Sequence, residues 1–373
     1  PSFGAVVTAE LDASTAAFVP RGVGNAYQTL VDNTAYVYLV NAHWSAEAQS
    51  EYTFLNLADP SAAINWPISL EHAERSEKDL AHPFLPDVVP MKPKRTLVLG
   101  ANGQLGRALR DVLPDADFAT RSQVDLSVES TLDAVRWAEY DTVINAAAYT
   151  RVDEAESPSG LIECWEANAT GVRRLARRAS DHGITLVHIS SDYVFDGTKS
   201  MYTEADPVAP LNVYGQTKAA SELISALAPR HYIVRTSWVI GDGSNFVRTM
   251  VSLAKRGVDP RVVNDQVGRL SFTQDIALGI KHLLKARPEY GIYNLTNEGP
   301  SMSWEDIAKL VFSKTGHRAD RITGSTTAEY FAGKASAPRP LLSTLSLAKI
   351  EATGFTPRDA RDALDEYLAD LNE

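Results

Sequence analysis

The sequence lacks the features that secreted and membrane-spanning proteins depend on. It contains a single cysteine, Cys164, in 373 residues, so no disulfide can form within the chain. No apolar run approaches the length that spans a bilayer, and no signal peptide is visible. We therefore expect a cytoplasmic protein with no membrane partner. The sequence begins at Pro1 rather than at a methionine, so we expect that native residues precede it.

An excess of basic residues is also lacking. Lysine and arginine total 36 against 47 aspartates and glutamates, which gives a formal net charge of −11. An acidic chain is a poor general ligand for nucleic acid, although local basic pockets for a phosphate remain compatible with it. The composition, 44% hydrophobic and 22% charged, is ordinary for a soluble globular protein. The length exceeds what one core usually serves, so two or more domains are expected.

The first 86 residues differ in pattern from the rest. Short alternating runs such as "TAYVYLV", separated by turn residues such as "RGVGN", predict a β-rich segment. Residues 87–94 contain two prolines and a basic cluster, which predicts a linker because proline lacks a hydrogen-bond donor. We therefore place a domain boundary between the β-rich segment 1–86 and the remainder.

From residue 95 onward, apolar strand-like runs alternate with helical runs. The strand-like runs are "TLVLG", "DTVINAAA", "TLVHISSD" and "HYIVRTSWVIG". This alternation predicts an α/β fold, a Rossmann-type doubly wound parallel sheet with helices on both faces. We assign 95–241 to this domain and 242–373 mainly to a smaller C-terminal substrate-binding lobe. A helix beginning at Ser303 has Asp306 three residues on, as in a capping box.

A glycine triplet follows the first strand. Gly100, Gly103 and Gly106 lie between a strand and a helix, where a backbone loop and a helix N-terminus can hold a pyrophosphate. The next strand, "ADFAT", ends at Thr120 and Arg121 rather than at the acid that usually binds a ribose 2′-hydroxyl. An arginine there suits a 2′-phosphate, which favours NADPH with NADH tolerated. The alternative for Arg121 is a solvated loop residue.

Further positions are expected to line this cofactor site. Asp125 and Leu126 would flank the adenine, and the small residues of "NAAA" after Ile144 would let the cofactor lie close. The residues expected to touch the dinucleotide are Gly100, Asn102, Gly103, Gln104, Leu105, Gly106, Arg121, Asp125, Leu126, Ala146, Ala147, Ala148, Tyr149, Ile189, Tyr214 and Lys218.

The stretch "LNVYGQTK" places Tyr214 and Lys218 four residues apart, on one face of a helix. A nearby ammonium lowers the pKa of a phenol, which predicts that Tyr214 is a usable proton donor near neutral pH. Ser191, at the end of the preceding strand, would supply a hydroxyl that polarises a carbonyl. The three side chains together predict a carbonyl reductase. The alternatives are an incidental Tyr–Lys pair on a surface helix and a serine that only caps an element.

The motifs from about residue 95 to the C-terminus resemble the dTDP-4-dehydrorhamnose reductase family of extended short-chain dehydrogenases. The resemblance rests on the glycine loop and on "INAAAYTRVDEAE", "ISSDYVFDG", "LNVYGQTK", "RTSWVIG" and "NDQVG", which occur in the family's order. It implies NAD(P)H-dependent reduction of the C4 ketone of dTDP-6-deoxy-L-lyxo-4-hexulose to dTDP-L-rhamnose. The family often has threonine at the position of Ser191, and both residues offer a hydroxyl.

The same resemblance implies a set of substrate contacts and partners. The segment after "NDQVG" reads "RLSFT", where the family usually has a small residue or proline and then threonine, so the contacts of that loop do not carry over. Some family members dimerise with help from Mg²⁺, so the resemblance implies a homodimer that is able to bind Mg²⁺, with no metal ligands mapped and no requirement for the metal established by the sequence. The residues implied to bind the dTDP-linked 4-keto sugar are Ser191, Asp192, Trp238, Asn245, Phe246 and, for the diphosphate, Arg339.

The front segment resembles the later part of the dTDP-4-dehydrorhamnose 3,5-epimerase family, a cupin jelly roll. The motifs are "PSFG", "FVPRGVGNAYQTL", "YVYLV", "LADPSAAINWP" and "SEKDLAHPFL". Tyr38 matches the family's acid, whereas Asn25 replaces a family histidine and Trp44 replaces a tyrosine. His43 is adjacent but fits a loop position better than that of the base. The family's base lies upstream of "PSFG", so we predict an incomplete and inactive epimerase segment.

Three other functions remain open from the sequence. The chain is a bifunctional 3,5-epimerase and 4-reductase if the front segment is active. It is a related nucleotide-sugar epimerase or dehydratase if a tightly held dinucleotide recycles its hydride. It is a non-catalytic nucleotide-sugar binding protein if the dehydrogenase fold has lost its chemistry.

Overall fold

The structure is a computed structural model, and it describes residues 3–40 and 52–371. The chain divides into two compact units, residues 1–93 and 94–373. His43 and Trp44, which bear on the epimerase resemblance, lie outside the described residues.

The first unit does not contain the strands that its sequence pattern predicts. Across residues 3–40 and 52–93 the structure has no β-strand, and its one α-helix is α1, Glu77–Ala81, with a Ser76–Asp79 capping box. Val37 and Leu39 are 84% and 98% exposed, and Tyr38 is 69% exposed, so both faces of that run meet solvent. A strand requires a neighbouring strand to receive its backbone hydrogen bonds, and alternation alone does not supply that neighbour.

The described part of the second unit contains the strands and helices expected of a doubly wound fold. The strands are β1 (Arg95–Leu99), β2 (Asp117–Ala119), β3 (Tyr140–Asn145), β4 (Thr185–Ser191), β5 (His231–Thr236), β6 (Val239–Ile240), β7 (Arg261–Val263), β8 (Val267–Gly268), β9 (Ser271–Phe272), β10 (Gly291–Asn294), β11 (Met302–Ser303) and β12 (Thr323–Ser325). The helices are α2 (Gln104–Val112), α3 (Glu129–Asp133), α4 (Pro158–Trp165), α5 (Gly171–Asp181), α6 (Val213–Ser225), α7 (Phe246–Lys255), α8 (Thr273–Ala286), α9 (Trp304–Lys314), α10 (Thr327–Tyr330), α11 (Ala348–Glu351) and α12 (Ala360–Asp370).

Six of these strands form one parallel sheet in the order β10-β5-β4-β3-β1-β2. The chain moves outward from β1 to β2 and then returns to the other side of β1 for β3. This reversal leaves a crevice at the carboxyl ends of β1 and β3, where doubly wound proteins bind their ligands. The predicted Rossmann-type fold is therefore confirmed.

The sheet is covered by apolar layers on both faces because successive strand residues point to opposite sides. Val98 and Ile144 point into one layer, with residues of α2 and α8. Leu97 and Val143 point into the other layer, which includes Leu175 of α5. All four strand residues are at most 4% exposed. The sheet therefore holds the carboxyl ends of its strands in a fixed relation.

The residues after 242 are shared between the sheet and a smaller lobe. Strand β10 completes the parallel sheet, and α8 packs in the layer that covers it. Helices α7, α9 and α12 form a separate apolar cluster. Three short strand pairs accompany this lobe: β6 with β9, β7 with β12 and β8 with β11. The division at residue 242 stays a prediction, and the sheet draws its edge strand from beyond that point.

The helical segment between β3 and β4 is continuous from Pro158 to Asp181 but is not uniform. It comprises α4, a π-helical turn at Glu166–Thr170 and α5. Single π turns inside α-helices often accompany functional sites. Asn168, which is 1% exposed, lies within this turn. The predicted capping box at Ser303 is confirmed, with the Asp306 carboxylate accepting from the Ser303 N–H at 3.0 Å.

We predict that Gly106→Ala lowers the stability of the second unit. A Cβ at Gly106 would lie 2.2 Å from the carbonyl oxygen of Gly100, closer than any relaxed contact allows. Relieving that overlap should reduce the free energy of unfolding by about 1–3 kcal/mol, as overpacking generally does. Urea denaturation followed by circular dichroism measures the change. Gly24→Ala is the control because a Cβ there meets no atom within 4 Å; equal effects of the two changes would contradict the prediction.

Candidate active site

The loop after β1 has the form that a dinucleotide pyrophosphate requires. Gly100 has φ +80°, and a Cβ on it would lie 2.7 Å from the backbone of both Ala146 and Ala147. The Gly103 N–H donates to the Gly100 carbonyl at 2.9 Å, which closes the turn directly before α2. Gln104 Oε1 is buried without a hydrogen-bond partner among the described residues. The tight backbone and the unpaired acceptor both fit a bound dinucleotide at this helix N-terminus.

Arg121 lies two residues beyond β2, at the edge of this crevice. Its side chain is 82% exposed, and its Nε donates to Asp125 Oδ2 at 2.9 Å. The Asp125 carboxylate also accepts from the Ser127 N–H at 2.9 Å, so it is fixed to its own turn. The outer nitrogens of the guanidinium face solvent and suit a phosphate. The alternative of a solvated loop residue stays open.

The segment after β3 forms a floor beside the glycine loop. Ala146 and Ala147 are half-buried, and the Ala146 N–H donates to the Leu99 carbonyl at 3.1 Å, which holds the floor against β1. Asn168 fixes the next part of the floor from the π turn. Its amide accepts from the Tyr149 N–H at 2.8 Å and donates to the Tyr149 carbonyl at 3.0 Å. Asn168 carried no recognisable signal in the sequence.

Ser191 and Tyr214 approach one another at the end of β4. The Asn212 side chain caps α6 by accepting from the Gly215 N–H at 2.7 Å, and this sets the first helical turn that carries Tyr214. A Cβ at Gly215 would lie 2.2 Å from the Tyr193 carbonyl oxygen, so glycine permits this close approach. The Ser191 hydroxyl lies close enough to the phenol of Tyr214 to lower its pKa, against the larger effect of burial. The structure thus brings together the predicted hydroxyl and phenol.

Lys218 lies one turn further along α6, buried to 2% exposure. Its ammonium donates to the Ile189 carbonyl at 2.5 Å. Burial lowers the pKa of Lys218 to about 8, with Glu222 acting in the opposite direction. The predicted lowering of the pKa of Tyr214 is wrong, because burial raises the pKa of this phenol above its ordinary value and the neighbouring Ser191 hydroxyl only partly offsets the rise. Tyr214 is therefore neutral and protonated at physiological pH.

Asp192 is the buried acid of the site. It is 2% exposed, and its Oδ1 accepts from Ser191 Oγ at 3.0 Å. Burial raises the pKa of Asp192 to about 6, and hydrogen bonds from Ser343 and Ser191 act in the opposite direction. An anion buried in this way carries an unfavourable desolvation free energy, which is common for groups at functional sites.

The residues expected to contact substrate in the C-terminal lobe form an aromatic cluster. Trp238 adopts φ +43°, an uncommon conformation for a bulky residue, and stacks on Trp304 with 3.7 Å between ring centroids. Phe246 tilts against the same Trp304 ring at 4.5 Å. Asn245 caps α7, and its amide donates to the Tyr367 hydroxyl at 2.7 Å. Trp304 was missed from the sequence because pairing over 66 positions leaves no local pattern.

Arg339 is already paired within the chain. Its Nη2 donates to both carboxylate oxygens of Asp153 at 2.8 Å, and the Ala337 N–H donates to the same carboxylate at 3.0 Å. The next residue back, Pro338, accepts from the Asn212 amide at 2.7 Å. The segment with Arg339 is thus tied to the N-terminus of α6. Its expected role in binding the diphosphate stays a prediction, and Asp153 was not anticipated.

Other expected features are either placed elsewhere or not seen. Tyr38 belongs to the first unit. Among residues 3–40 and 52–371, no group of three or more His, Cys, Asp or Glu side chains is arranged to hold a metal ion. Within the same residues, no helix combines the length and the apolar character needed to cross a membrane.

The parallel sheet, the glycine loop and the Ser–Tyr–Lys set define an enzyme class, the dinucleotide-binding short-chain dehydrogenases. Residues 94–373 match the family model described as the RmlD substrate binding domain. Over 301 residues, the chain is 39% identical to the dTDP-4-dehydrorhamnose reductase of Aggregatibacter actinomycetemcomitans, covering 74% of this chain and 98% of that protein. The chain belongs to the dTDP-4-dehydrorhamnose reductase family.

Two further comparisons bear on the ligands. The structure of the Bacillus anthracis dTDP-4-dehydrorhamnose reductase in complex with NADP is similar with a TM-score of 0.69 and 32% identity, covering 75% of this chain and 100% of that one. A Streptomyces antibioticus protein, a probable dTDP-4,6-dihydroxy-2-methyloxan-3-one 4-ketoreductase, is 38% identical over 291 residues, which cover 74% of this chain and 95% of its own.

The front segment has its own match. Residues 1–87 match the family model of dTDP-4-dehydrorhamnose 3,5-epimerase. The two predicted resemblances, and the order in which they follow one another, are confirmed. Across the described residues of the first unit, however, the structure shows no strands.

We predict that Asp192→Asn makes the protein more stable at pH 7. The pKa of Asp192 is about 6 in the fold against an ordinary value of 3.8, so the ionised form is disfavoured in the native state. At about 1.4 kcal/mol per pKa unit, removing that charge should raise the free energy of unfolding at pH 7 by up to about 3 kcal/mol. Urea denaturation of both proteins measures it.

The free energies of unfolding of wild type and Asp192→Asn should also depend differently on pH. A carboxyl with a raised native pKa binds more protons when folded, so wild type should gain stability from this group as the pH falls from about 7 to about 4. The variant lacks that gain, and the two proteins should converge at the acidic end. A less stable Asn variant at pH 7 would contradict the assignment.

Proposed function

We propose that this chain uses NAD(P)H to reduce the C4 ketone of dTDP-6-deoxy-L-lyxo-4-hexulose, giving dTDP-L-rhamnose. The observation that carries the proposal is the meeting of Ser191 and Tyr214 at the carboxyl end of β4, with Lys218 one turn away. The glycine loop begins at the same edge of the sheet, at the carboxyl end of β1. The match to the reductase family over 94–373 supports the nucleotide-sugar substrate.

Each side chain has a role that its environment permits. When bound, the nicotinamide supplies hydride to the C4 carbon. Tyr214, neutral because burial raises its pKa, donates its phenolic proton to the C4 oxygen, so hydride and proton together convert the ketone to an alcohol. The Ser191 hydroxyl donates a hydrogen bond to the same oxygen and stabilises the charge that develops there. The Lys218 ammonium stabilises the phenolate that remains after the transfer.

Because its pKa is raised, Tyr214 keeps its proton at pH 7 and acts as a proton donor rather than as a base. A phenol that ionises above neutral pH is almost entirely in its donor form at pH 7. Proton transfer leaves a phenolate, which the Lys218 ammonium one turn along α6 stabilises. The pKa of Lys218 is about 8, so this side chain is largely charged at pH 7. A matched donor and cation are what proton transfer to a carbonyl oxygen requires.

NADPH is proposed as the preferred cofactor, with NADH tolerated. The exposed Arg121 guanidinium beyond β2 offers hydrogen bonds and charge to a 2′-phosphate. The NADP complex of the Bacillus anthracis relative supports this choice. The residues that would hold the dinucleotide are those of the glycine loop, the floor at Ala146 to Ala148 and Lys218.

The remaining expectations are part of the proposal. We propose a cytoplasmic homodimer; Leu223 on α6 and Leu227, two residues beyond its end, are 71% and 79% exposed and offer an apolar surface that a second copy would bury. Mg²⁺ is proposed as a further ligand on the family resemblance alone. The 3,5-epimerase segment is proposed to be incomplete and inactive in this chain, because Asn25 stands where the family has a histidine.

A second candidate, a bifunctional epimerase and reductase, is favoured by the epimerase match over residues 1–87. Deuterium exchange at C3 and C5 of the 4-keto sugar nucleotide, followed by NMR without dinucleotide, separates the two. The proposal expects no enzyme-dependent exchange. Rapid exchange would establish the bifunctional enzyme instead.

We predict that Tyr214→Phe lowers kcat for the reduction about 10²-fold or more, with little change in substrate binding, because only the transferred proton is lost. The assay follows NADPH absorbance with the 4-keto sugar nucleotide. Tyr193→Phe is the matched control, since Tyr193 packs against the Tyr214 ring at 5.7 Å between centroids. Near-normal turnover in the Tyr214 variant would remove Tyr214 from the mechanism.

The wild-type assay also tests the function itself. One NADPH consumed per alcohol formed supports the reductase. Catalysis with a copurified dinucleotide and no net NADPH consumption would point to an epimerase or dehydratase. Binding without turnover of either kind would leave a nucleotide-sugar binding protein.

We predict that Arg121→Gln raises the KM for NADPH about tenfold and leaves the KM for NADH nearly unchanged, because a charge-assisted contact to a 2′-phosphate is lost. Steady-state kinetics with each cofactor measures the two values. Arg136→Gln is the control, since that arginine is similarly exposed and pairs with Glu139. Equal changes for both cofactors would show that Arg121 is the solvated loop residue of the alternative.

A further inference from the structure

Helix α6 turns a polar face toward the sheet, whereas helices covering a sheet usually present an apolar one. Its one leucine, Leu223, is instead 71% exposed. Polar groups buried in this way destabilise the fold unless each finds a hydrogen-bond partner. The interface behind the candidate catalytic residues is therefore held by hydrogen bonds. The buried members with hydrogen-bond partners, none above 4% exposure, are Thr217, Lys218, Ser221 and Glu222; Ser225 is also buried, but its Oγ has no partner among the described residues.

One chain of hydrogen bonds crosses this interface and determines which nitrogen of His188 carries the proton. The Ala147 N–H donates to Asn145 Oδ1 at 3.2 Å, so the amide nitrogen of Asn145 is the atom that faces His188 Nδ1 at 3.1 Å. An amide nitrogen only donates, so Nδ1 accepts and the ring proton lies on Nε2. His188 Nε2 then donates to Ser221 Oγ at 2.8 Å, and Ser221 Oγ donates to the Lys218 carbonyl at 2.7 Å.

The environment of His188 also requires an uncharged ring. His188 is 1% exposed, and its Nε2 lies 3.5 Å from the Lys218 ammonium. Burial holds the pKa of His188 well below its ordinary value, and the charge of Lys218 acts in the same direction. Two adjacent cations in this interior would repel strongly. The imidazole is thus a fixed, neutral neighbour of the ammonium.

The fixed tautomer limits where the ammonium can go. Since Nε2 already donates its proton to Ser221, it offers Lys218 no acceptor. The ammonium donates instead to the Ile189 carbonyl at 2.5 Å, with the ring packed beside it. The same ring reaches Asn145, whose other amide atom holds the floor at Ala147. The His188 ring therefore lies against the Lys218 ammonium of α6 and also contacts Asn145, which holds the expected cofactor floor after β3.

We propose that His188, as the neutral Nε2–H tautomer, is a positioning residue that fixes the Lys218 ammonium relative to the floor at Ala147. This rests on the proposed function, in which Lys218 stabilises the phenolate of Tyr214. His188 acts through Lys218 and is not itself a group that meets the substrate. Its replacement should displace the cation and impair proton transfer.

A second buried network keeps α6 attached to the sheet when His188 is changed. Glu222 Oε1 accepts from Ser190 Oγ at 2.6 Å and from Arg235 Nε at 2.9 Å, and Glu222 Oε2 accepts from Arg235 Nη2 at 2.7 Å. These bonds join the helix to both β4 and β5 without involving His188. A His188 variant should therefore fold, so that its kinetic effect can be measured.

The tautomer is tested directly on the wild-type protein. Selectively ¹⁵N-labelled histidine distinguishes a protonated ring nitrogen from a bare one by their chemical shifts and their couplings to the ring protons. His188 is assigned by its absence from the His188→Gln spectrum. We expect one neutral Nε2–H form that does not titrate between pH 6 and pH 8. A Nδ1–H form, or a ring that titrates in this range, would overturn the inference.

The positioning role is tested by three variants. His188→Phe keeps a ring but removes both nitrogens, and it should lower kcat about tenfold or more while changing the Kd of dTDP less than about twofold. His188→Gln retains an amide donor for Ser221 and should recover part of the loss. His231→Phe is the control, because His231 on β5 contacts the Ala228 carbonyl at 2.7 Å and belongs to the neighbouring strand. Circular dichroism confirms that each variant is folded.

The outcomes separate this inference from the proposed function. A wild-type kcat in His188→Phe, or equal losses of kcat in the His188 and His231 variants, would overturn the positioning role. If His188→Phe does not fold, Ser221→Ala, which removes the acceptor of the Nε2 proton, takes its place with the same expectation. If wild type fails to reduce the 4-keto sugar nucleotide, the proposed function fails. The NADPH dissociation constants of the same variants then decide whether His188 positions Lys218.

Discussion

The hydrogen-bonded contact between α6 and β4 is the interaction on which the candidate site depends. Ser190 and Ser191 end the strand, and Tyr214 and Lys218 extend from the helix, so their relation is set by how these two elements meet. Hydrogen bonds have directions and fixed lengths, whereas apolar contacts slide more readily. A polar interface therefore fixes the register of helix and strand, at the cost of burying polar groups, of which Ser225 Oγ has no hydrogen-bond partner among the described residues.

Burial also sets the charges at this edge. It raises the pKa of Tyr214, raises that of Asp192 to about 6 and lowers that of Lys218 to about 8. The phenol thus holds its proton at neutral pH, while the acid and the lysine titrate much closer to neutrality than they would in water. Such shifts commonly mark sites where protons are moved, because the same burial that costs stability adjusts reactivity.

Several features could be predicted from the sequence because they rest on local patterns. Strand and helix periodicity indicated the parallel sheet, the glycine spacing indicated the loop after β1, and the four-residue spacing placed Tyr214 and Lys218 on one face of α6. Other features could not be predicted. The pairing of Arg339 with Asp153 joins residues 186 positions apart, and no local pattern records it. The strands predicted for the first unit are absent from its described residues, since alternation does not supply a pairing partner.

What the sequence determined by itself was the order of elements, the chemistry of the side chains and the family to which they belong. Only the tertiary structure decided the direction of the pKa shift of Tyr214, since burial depends on what packs around the ring. It also decided the tautomer of His188, because the neighbours that assign the proton come from β3 and α6. Electrostatic behaviour follows from surroundings assembled across the chain, and spacing along the sequence does not contain them.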